Sequence, residues 1–109
     1  MTGPASTITV PPPDADLVDG LAALADPTRL RILAALREGH ERCRDLDGYV
    51  GIHVSDLARQ LELSQPAISQ HLARLRHAGL VSVVRKAQFA YYTRDEAGLA
   101  DLRGRLSEL

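Results

Sequence analysis

The apolar residues of this chain change period at Gly79, and that change restricts the folds open to it. Upstream, Ile68, Leu72 and Leu75 recur at i, i+4 and i+7, on one face of a helix predicted over Gln65 to Ala78. Ser64 can cap that helix, and Pro66 in its first turn needs no backbone donor there. A shorter helix is predicted over Ser55 to Leu61, with Glu62-Leu63-Ser64 as the break between the two. Gly79 suits a helix C-terminus. Beyond it, Val81-Ser82-Val83-Val84 and Phe89-Ala90-Tyr91-Tyr92-Thr93 are β-branched and aromatic runs, with Arg85-Lys86-Ala87-Gln88 as the tip of a hairpin. Two helices joined by a short turn and followed by a two-stranded ribbon predict a winged helix-turn-helix, mainly α with a small β-hairpin wing.

The charge pattern says what such a fold could contact. Between Leu63 and Arg94 stand five basic residues, Arg74, Arg76, Arg85, Lys86 and Arg94, and no carboxylate. All fourteen Asp and Glu lie elsewhere, so the net charge of −1 hides a basic segment. A polyanion responds to that local potential and not to the average. On the second helix Gln70, Arg74 and His77 are spaced i, i+4 and i+7, a polar face opposite the apolar seam. The candidates for DNA contact are Ser64, Gln65, Ser69, Gln70, His71, Arg74 and His77 around that helix, and Arg85, Lys86 and Gln88 on the wing. The helix would read base edges while the wing tracks phosphate or a minor groove.

The remaining organisation is brief. Met1 to Pro13, with Pro11-Pro12-Pro13, is expected to be a disordered or extended tail, and residues 14–109 form one domain. A first helix is predicted over Asp14 to Ala25, and a second from Asp26-Pro27 to about Arg37. The last helix is predicted over Asp95 to Leu106. A domain this small buries only about 60 to 65% of its unfolded surface, so association would help it. Leu17, Leu21 and Leu24 on the first helix and Leu99, Leu102 and Leu106 on the last form stripes with no evident partner in so small a core, which points to a homodimer through these helices. A single cysteine excludes an intramolecular disulfide and fits a reducing, cytoplasmic setting. No apolar run is long enough for a membrane span, and no export signal is evident.

Several blocks together resemble the ArsR/SmtB family of bacterial winged-helix regulators. They are Leu24-Ala25-Asp26-Pro27-Thr28-Arg29-Leu30-Arg31-Ile32-Leu33, Val54-Ser55-Asp56-Leu57-Ala58, Ser64-Gln65-Pro66-Ala67-Ile68-Ser69-Gln70-His71-Leu72, Leu75-Arg76-His77-Ala78-Gly79-Leu80-Val81, and the Tyr91-Tyr92 strand. In order they cover nearly the whole chain. The resemblance implies a homodimeric, cytosolic, operator-binding regulator, usually a repressor released by an effector that is often a metal ion.

Against that pattern, residues 39–53 form an insertion. The segment holds His40, Cys43 and His53, which combine nitrogen and sulfur donors, with His40 and Cys43 three residues apart. These three are the candidate metal ligands, and mixed donors with the family precedent favour nickel or zinc. A solvated, charged loop with a half-buried thiol is the plainer reading of the same residues. The family's other sensor positions are largely absent. Val54-Ser55-Asp56 stands where thiolate sensors carry Cys-x-Cys, and the last helix offers Asp95, Glu96, Asp101 and Glu108 but no histidine. His71, on a flank of the second helix of the motif, fits a DNA or packing role. Catalysis is not expected: Cys43 beside a histidine lacks an orienting third group and an oxyanion-hole signature. Two other readings are a metal-independent regulator or activator, and a protein-interaction module whose basic stripe is incidental.

Overall fold

A computed structural model describes residues 8–43, 45–46 and 48–109. In chain order the elements are α1 (Ala15–Leu24), α2 (Pro27–Cys43), β1 (Ile52–His53), α3 (Val54–Leu61), α4 (Gln65–His77), β2 (Val81–Lys86), β3 (Phe89–Arg94) and α5 (Glu96–Ser107). Residues 1–7 of the expected tail lie outside the described residues; Ile8 to Pro13 are exposed and carry no regular structure. No described helix is long and apolar enough to cross a membrane.

Helix starts follow from side chains that satisfy orphan amide groups. Asp14 accepts from the amides of Asp16 at 3.1 Å and Leu17 at 3.2 Å. Asp26 accepts from Thr28 at 2.8 Å and Arg29 at 3.1 Å. Ser64 Oγ takes the amide of Ala67 at 3.2 Å, and Asp95 that of Gly98 at 2.9 Å. The α3 to α4 turn contains Glu62 in the left-handed region at φ 57°. The wing then folds back as an antiparallel sheet in the order β1-β3-β2, with Val83 opposite Tyr92 and Ile52 on Tyr92's other side. The wing tip is tighter than expected: Arg85 and Lys86 still pair, with Ala90 and Phe89, leaving Ala87 and Gln88 as the turn.

The core gathers the predicted seam. Ile68, Leu72 and Leu75 of α4 are fully buried, with Leu57 of α3, Ile32 and Leu36 of α2, and Leu80. No polar or charged residue is buried among the described residues. The seven side chains just named would each lose about 1.5 to 3 kcal/mol of transfer free energy on exposure, so this seam fixes how α4 is presented.

Two expectations are corrected. The helix expected to end near Arg37 continues to Cys43. An Arg42–Glu38 ion pair at 3.1 Å supports the added turns, and Gly39 lets Tyr49 and Ile52 return closely over them. A Cβ on Gly39 would lie 2.7 Å from Ile52 Cδ1 and 3.0 Å from the Tyr49 hydroxyl. The described residues between Gly39 and His53 therefore include the end of α2, a turn and the short strand β1. The second correction concerns the leucine stripes. Leu17 and Leu102 are buried within the protomer, because α1 packs on α5. Leu102 seats against Gly20, where a Cβ would come within 2.6 Å of it. Arg105 reinforces the same contact with ion pairs to Asp14 at 2.7 Å and Asp16 at 3.3 Å.

Candidate nucleic-acid interface

The helix that the seam holds turns a carboxylate-free surface to solvent. Ser69, Gln70, Arg74 and His77 are exposed on α4, as are Gln65 and the capping Ser64. Ser64 spends an acceptor site on the cap, which leaves its hydroxyl proton available to a phosphate. Arg76 is exposed in the last turn of α4 and belongs with this set. Its charge is plain in the basic window, but it lies off the line through Gln70, Arg74 and His77. Arg74 and His77 also border a groove against Asp19, Ala22 and Ala23 of α1, so they stand at the edge of the reading face.

On the wing, Arg85, Lys86 and Gln88 are all exposed at the end of the hairpin. Phe89 is half exposed, and its ring meets His53 edge-on at 5.3 Å, with Tyr91 5.9 Å from the same histidine. These contacts brace the wing against the start of α3. Arg94, the fifth cation of the window, does not join the surface: it turns back to Glu96, 3.3 Å from Nε to Oε1. The polar helix face and the basic tip are thus the two parts of the molecule suited to a duplex, a helix for the major groove and a cationic ribbon for the backbone.

His71 is half buried between α4 and the start of α2. Its Nδ1 lies 3.2 Å from Arg29 Nη1, and Arg29 also donates from Nε to the carbonyl of Ala23 at 2.6 Å and from Nη2 to that of Ala22 at 3.3 Å. One guanidinium therefore joins the end of α1, the start of α2 and the reading helix. Asp26 beside it has its pKa held below the ordinary carboxylate value, chiefly by the Arg29 amide that it accepts, with the cationic Arg29 contributing.

The proposed metal ligands are placed apart by the strand between them. His40 and Cys43 lie in the last turns of α2, where His40 faces Tyr49 with ring centroids 6.5 Å apart. His53 follows Ile52 in β1, and successive strand residues point to opposite faces. Ile52 reaches Gly39 on α2, while the His53 ring packs against Phe89 and Tyr91. Its Nδ1 accepts the Ser55 amide at 3.1 Å and lies 2.6 Å from the Ser55 hydroxyl, so that nitrogen caps α3. Among the described residues no three His, Cys, Asp or Glu side chains converge as a metal site, and the set His40, Cys43 and His53 does not fit one ion within a protomer.

The same architecture is found in known proteins. The family described as "Bacterial regulatory protein, arsR family" matches residues 26–83. The Rhizobium meliloti nodulation protein NolR is 37% identical over 97 residues, which cover 88% of this chain and 70% of that protein. The arsenic resistance transcriptional regulator ArsR1 of Pseudomonas putida is 44% identical over 69 residues, 63% of this chain and 46% of its own length. The transcriptional activator HlyU of Vibrio cholerae is 41% identical over 73 residues, 67% of this chain and 57% of its own. The structure of HlyU from Vibrio cholerae superposes with a TM-score of 0.60 at 39% identity, covering 84% of this chain and 91% of that one. The chain thus spans about half the length of the latter two curated relatives. With its helix-turn-helix and wing in the same order, and the family match spanning more than half of its residues, this chain belongs to the ArsR family of bacterial winged helix-turn-helix transcriptional regulators, which are not enzymes.

Proposed function

We propose that the chain binds operator DNA as a homodimer and represses transcription from the promoter it occupies. The observation that carries this reading is the exposed, carboxylate-free face of α4, set over a fully buried seam and flanked by the basic wing tip. Dimer formation draws support from the outward apolar side chains of α1 and α5: Val18, Leu21 and Leu106 are 52%, 40% and 40% exposed. A two-fold dimer would present two α4 helices to an inverted repeat, with half-site centres about 10 to 10.5 base pairs apart or a multiple of that. The protein would act in the cytoplasm, where its DNA lies. Mobility-shift titration with the DNA upstream of its own gene tests the reading. A sequence-selective shift that competitor DNA does not abolish supports it, and equal affinity for all duplexes overturns it in favour of a protein-interaction role.

Activation is a second reading, favoured by the likeness to a protein named as a transcriptional activator. It requires only a different operator position, which footprinting relative to the promoter would show. A transition-metal effector, nickel or zinc, is supported by the i, i+3 placement of His40 and Cys43 on α2. Further ligands would have to come from a partner protomer or from solvent. Calorimetric titration of nickel and zinc into wild type and Cys43→Ser tests it, and unchanged affinity in the variant removes that donor.

A further inference from the structure

The inserted segment does more than lengthen α2. It closes over the sheet and leaves a cleft of about 540 Å³ between itself, the wing strands and the start of α5. Leu46, Val50, the Tyr49 ring and Val84 of β2 give it an apolar lining. His40, Thr93, Arg94 and Glu96 supply its polar groups. Its size falls within the usual range for small-molecule sites, and the mixture of apolar wall and a few polar groups is what such sites share.

The charge at the polar end selects the ligand. Arg94 Nε is buried and has no aligned hydrogen-bond acceptor among the described residues, although Glu96 Oε1 is 3.3 Å away. The same guanidinium reaches Glu96 through Nη2, in a long hydrogen bond of 3.4 Å to Oε2, so only Nε is left without an acceptor. Glu96 is 63% exposed, so it can rotate into water at little cost. Arg37 and Arg103 border an adjoining hollow that shares His40, Arg94 and Glu96, which leaves this end with three guanidinium groups against the carboxylates of Glu41 and Glu96.

We propose that this cleft binds a small amphipathic monocarboxylate, its carboxylate on Arg94 in place of Glu96 and its apolar body against Leu46, Val50 and Val84. The cleft touches β2, β3 and the first turn of α5 together, so an occupant bears on the wing and on the proposed dimer helix at once. It would serve as the effector of the regulator proposed above, and this coupling, unlike the site itself, rests on that reading. By linkage, operator DNA must then change the ligand's affinity by the same factor that the ligand changes the operator's.

Calorimetry of the full chain with octanoate, octanol, octylammonium and acetate tests the site without DNA. Octanoate is expected to bind, acetate and octylammonium are not, and octanol is expected to bind at least tenfold more weakly. Arg94→Gln should weaken octanoate about tenfold and leave octanol unchanged, with circular dichroism confirming the fold. Leu46→Ser, at a residue 62% exposed and therefore safe to alter, should weaken octanoate and octanol alike. Equal binding of octanoate and octanol, or none for either up to about 5 mM, overturns the site. Adding octanoate to the operator complex then tests the coupling. Arg94-dependent binding with unmoved operator affinity supports the site and overturns the effector role. Failure of the chain to bind any operator counts against the regulator reading alone, since the calorimetry stands without it.

Discussion

Arg29 donates from Nη1 to Nδ1 of His71 across 3.2 Å, and this fixes where the imidazole carries its proton. A guanidinium is only ever a donor, so Nδ1 must be the acceptor and the neutral ring must hold its hydrogen on Nε2. Nε2 is then the one ring nitrogen that can donate. Long-range nitrogen–proton spectra of the histidine rings should show His71 as the Nε2–H tautomer in wild type, with that preference lost in Arg29→Lys. Lysine keeps the charge but not the fork that also holds the carbonyls of Ala22 and Ala23, so the same variant should be destabilised by about 1 to 3 kcal/mol. An Nδ1–H tautomer in wild type would show the relationship to be wrong.

The wing and the reading helix should fail in different ways. Arg85→Ala with Lys86→Ala removes exposed charge from the hairpin tip, so affinity should drop for every sequence and the salt slope should flatten by about one unit per lost phosphate contact. Gln70→Ala should instead change which sequences are preferred, by about 1 to 3 kcal/mol if it makes a bidentate base contact. Arg76→Ala reports on the cation that the face drawn through Gln70 left out. Binding isotherms at several salt concentrations, on matched and scrambled duplexes, separate these outcomes; an unaltered slope in the wing variant would remove the wing from the interface.

The parts of this fold legible in the sequence are those set by neighbours in the chain. The cap at Ser64, the helix start at Asp26-Pro27, the seam through Ile68, and the change of period after Gly79 are local signals, and each element begins within a residue or two of them. What depends on distant packing was not legible. Gly39 reads as a helix end until Ile52 and Tyr49 are seen to close over it. Ile52 and His53 are too short a run to predict as a strand, and only pairing with Tyr92 and Tyr91 makes them one. That pairing in turn sends His53 away from His40 and Cys43, a separation that closeness in sequence hides. A leucine stripe likewise shows that a face is covered but not by what, which is why Leu17 and Leu102 read the same as Leu21 and Leu106.

Those two kinds of leucine give opposite results when charged. Leu21 is 40% exposed, so Leu21→Glu should fold with stability close to wild type yet sediment as a monomer and bind operator weakly. Leu102 is 6% exposed and seated on Gly20, so Leu102→Glu buries a charge without a partner and should unfold the chain by several kcal/mol. Sedimentation and urea denaturation of the pair distinguish an interface from a core. A wild type that is monomeric at micromolar concentration would overturn the dimer, and a Leu21→Glu variant that stays dimeric would place the interface elsewhere.

Acid should loosen the joint between α1 and α5. The Asp14 carboxylate accepts from Arg105 at 2.7 Å and also caps α1, and these contacts, the Arg105 hydrogen bond foremost, hold its pKa below the ordinary value. Arg105 answers with a raised pKa, through Asp101 and then Asp14, and stays charged throughout. A carboxylate whose folded pKa is depressed stabilises the fold fully above its unfolded pKa, and that contribution disappears as pH falls through the lower folded value. Asp14→Asn keeps a good capping side chain while removing the charge, so it isolates the ion pair. The gap in stability between wild type and Asp14→Asn should be constant from neutral pH down to about 5, then narrow toward nothing below the usual carboxylate range near 4. Urea midpoints measured along that series check it; a gap that widened on acidification would mean that Asp14 is not held in its charged form by the fold.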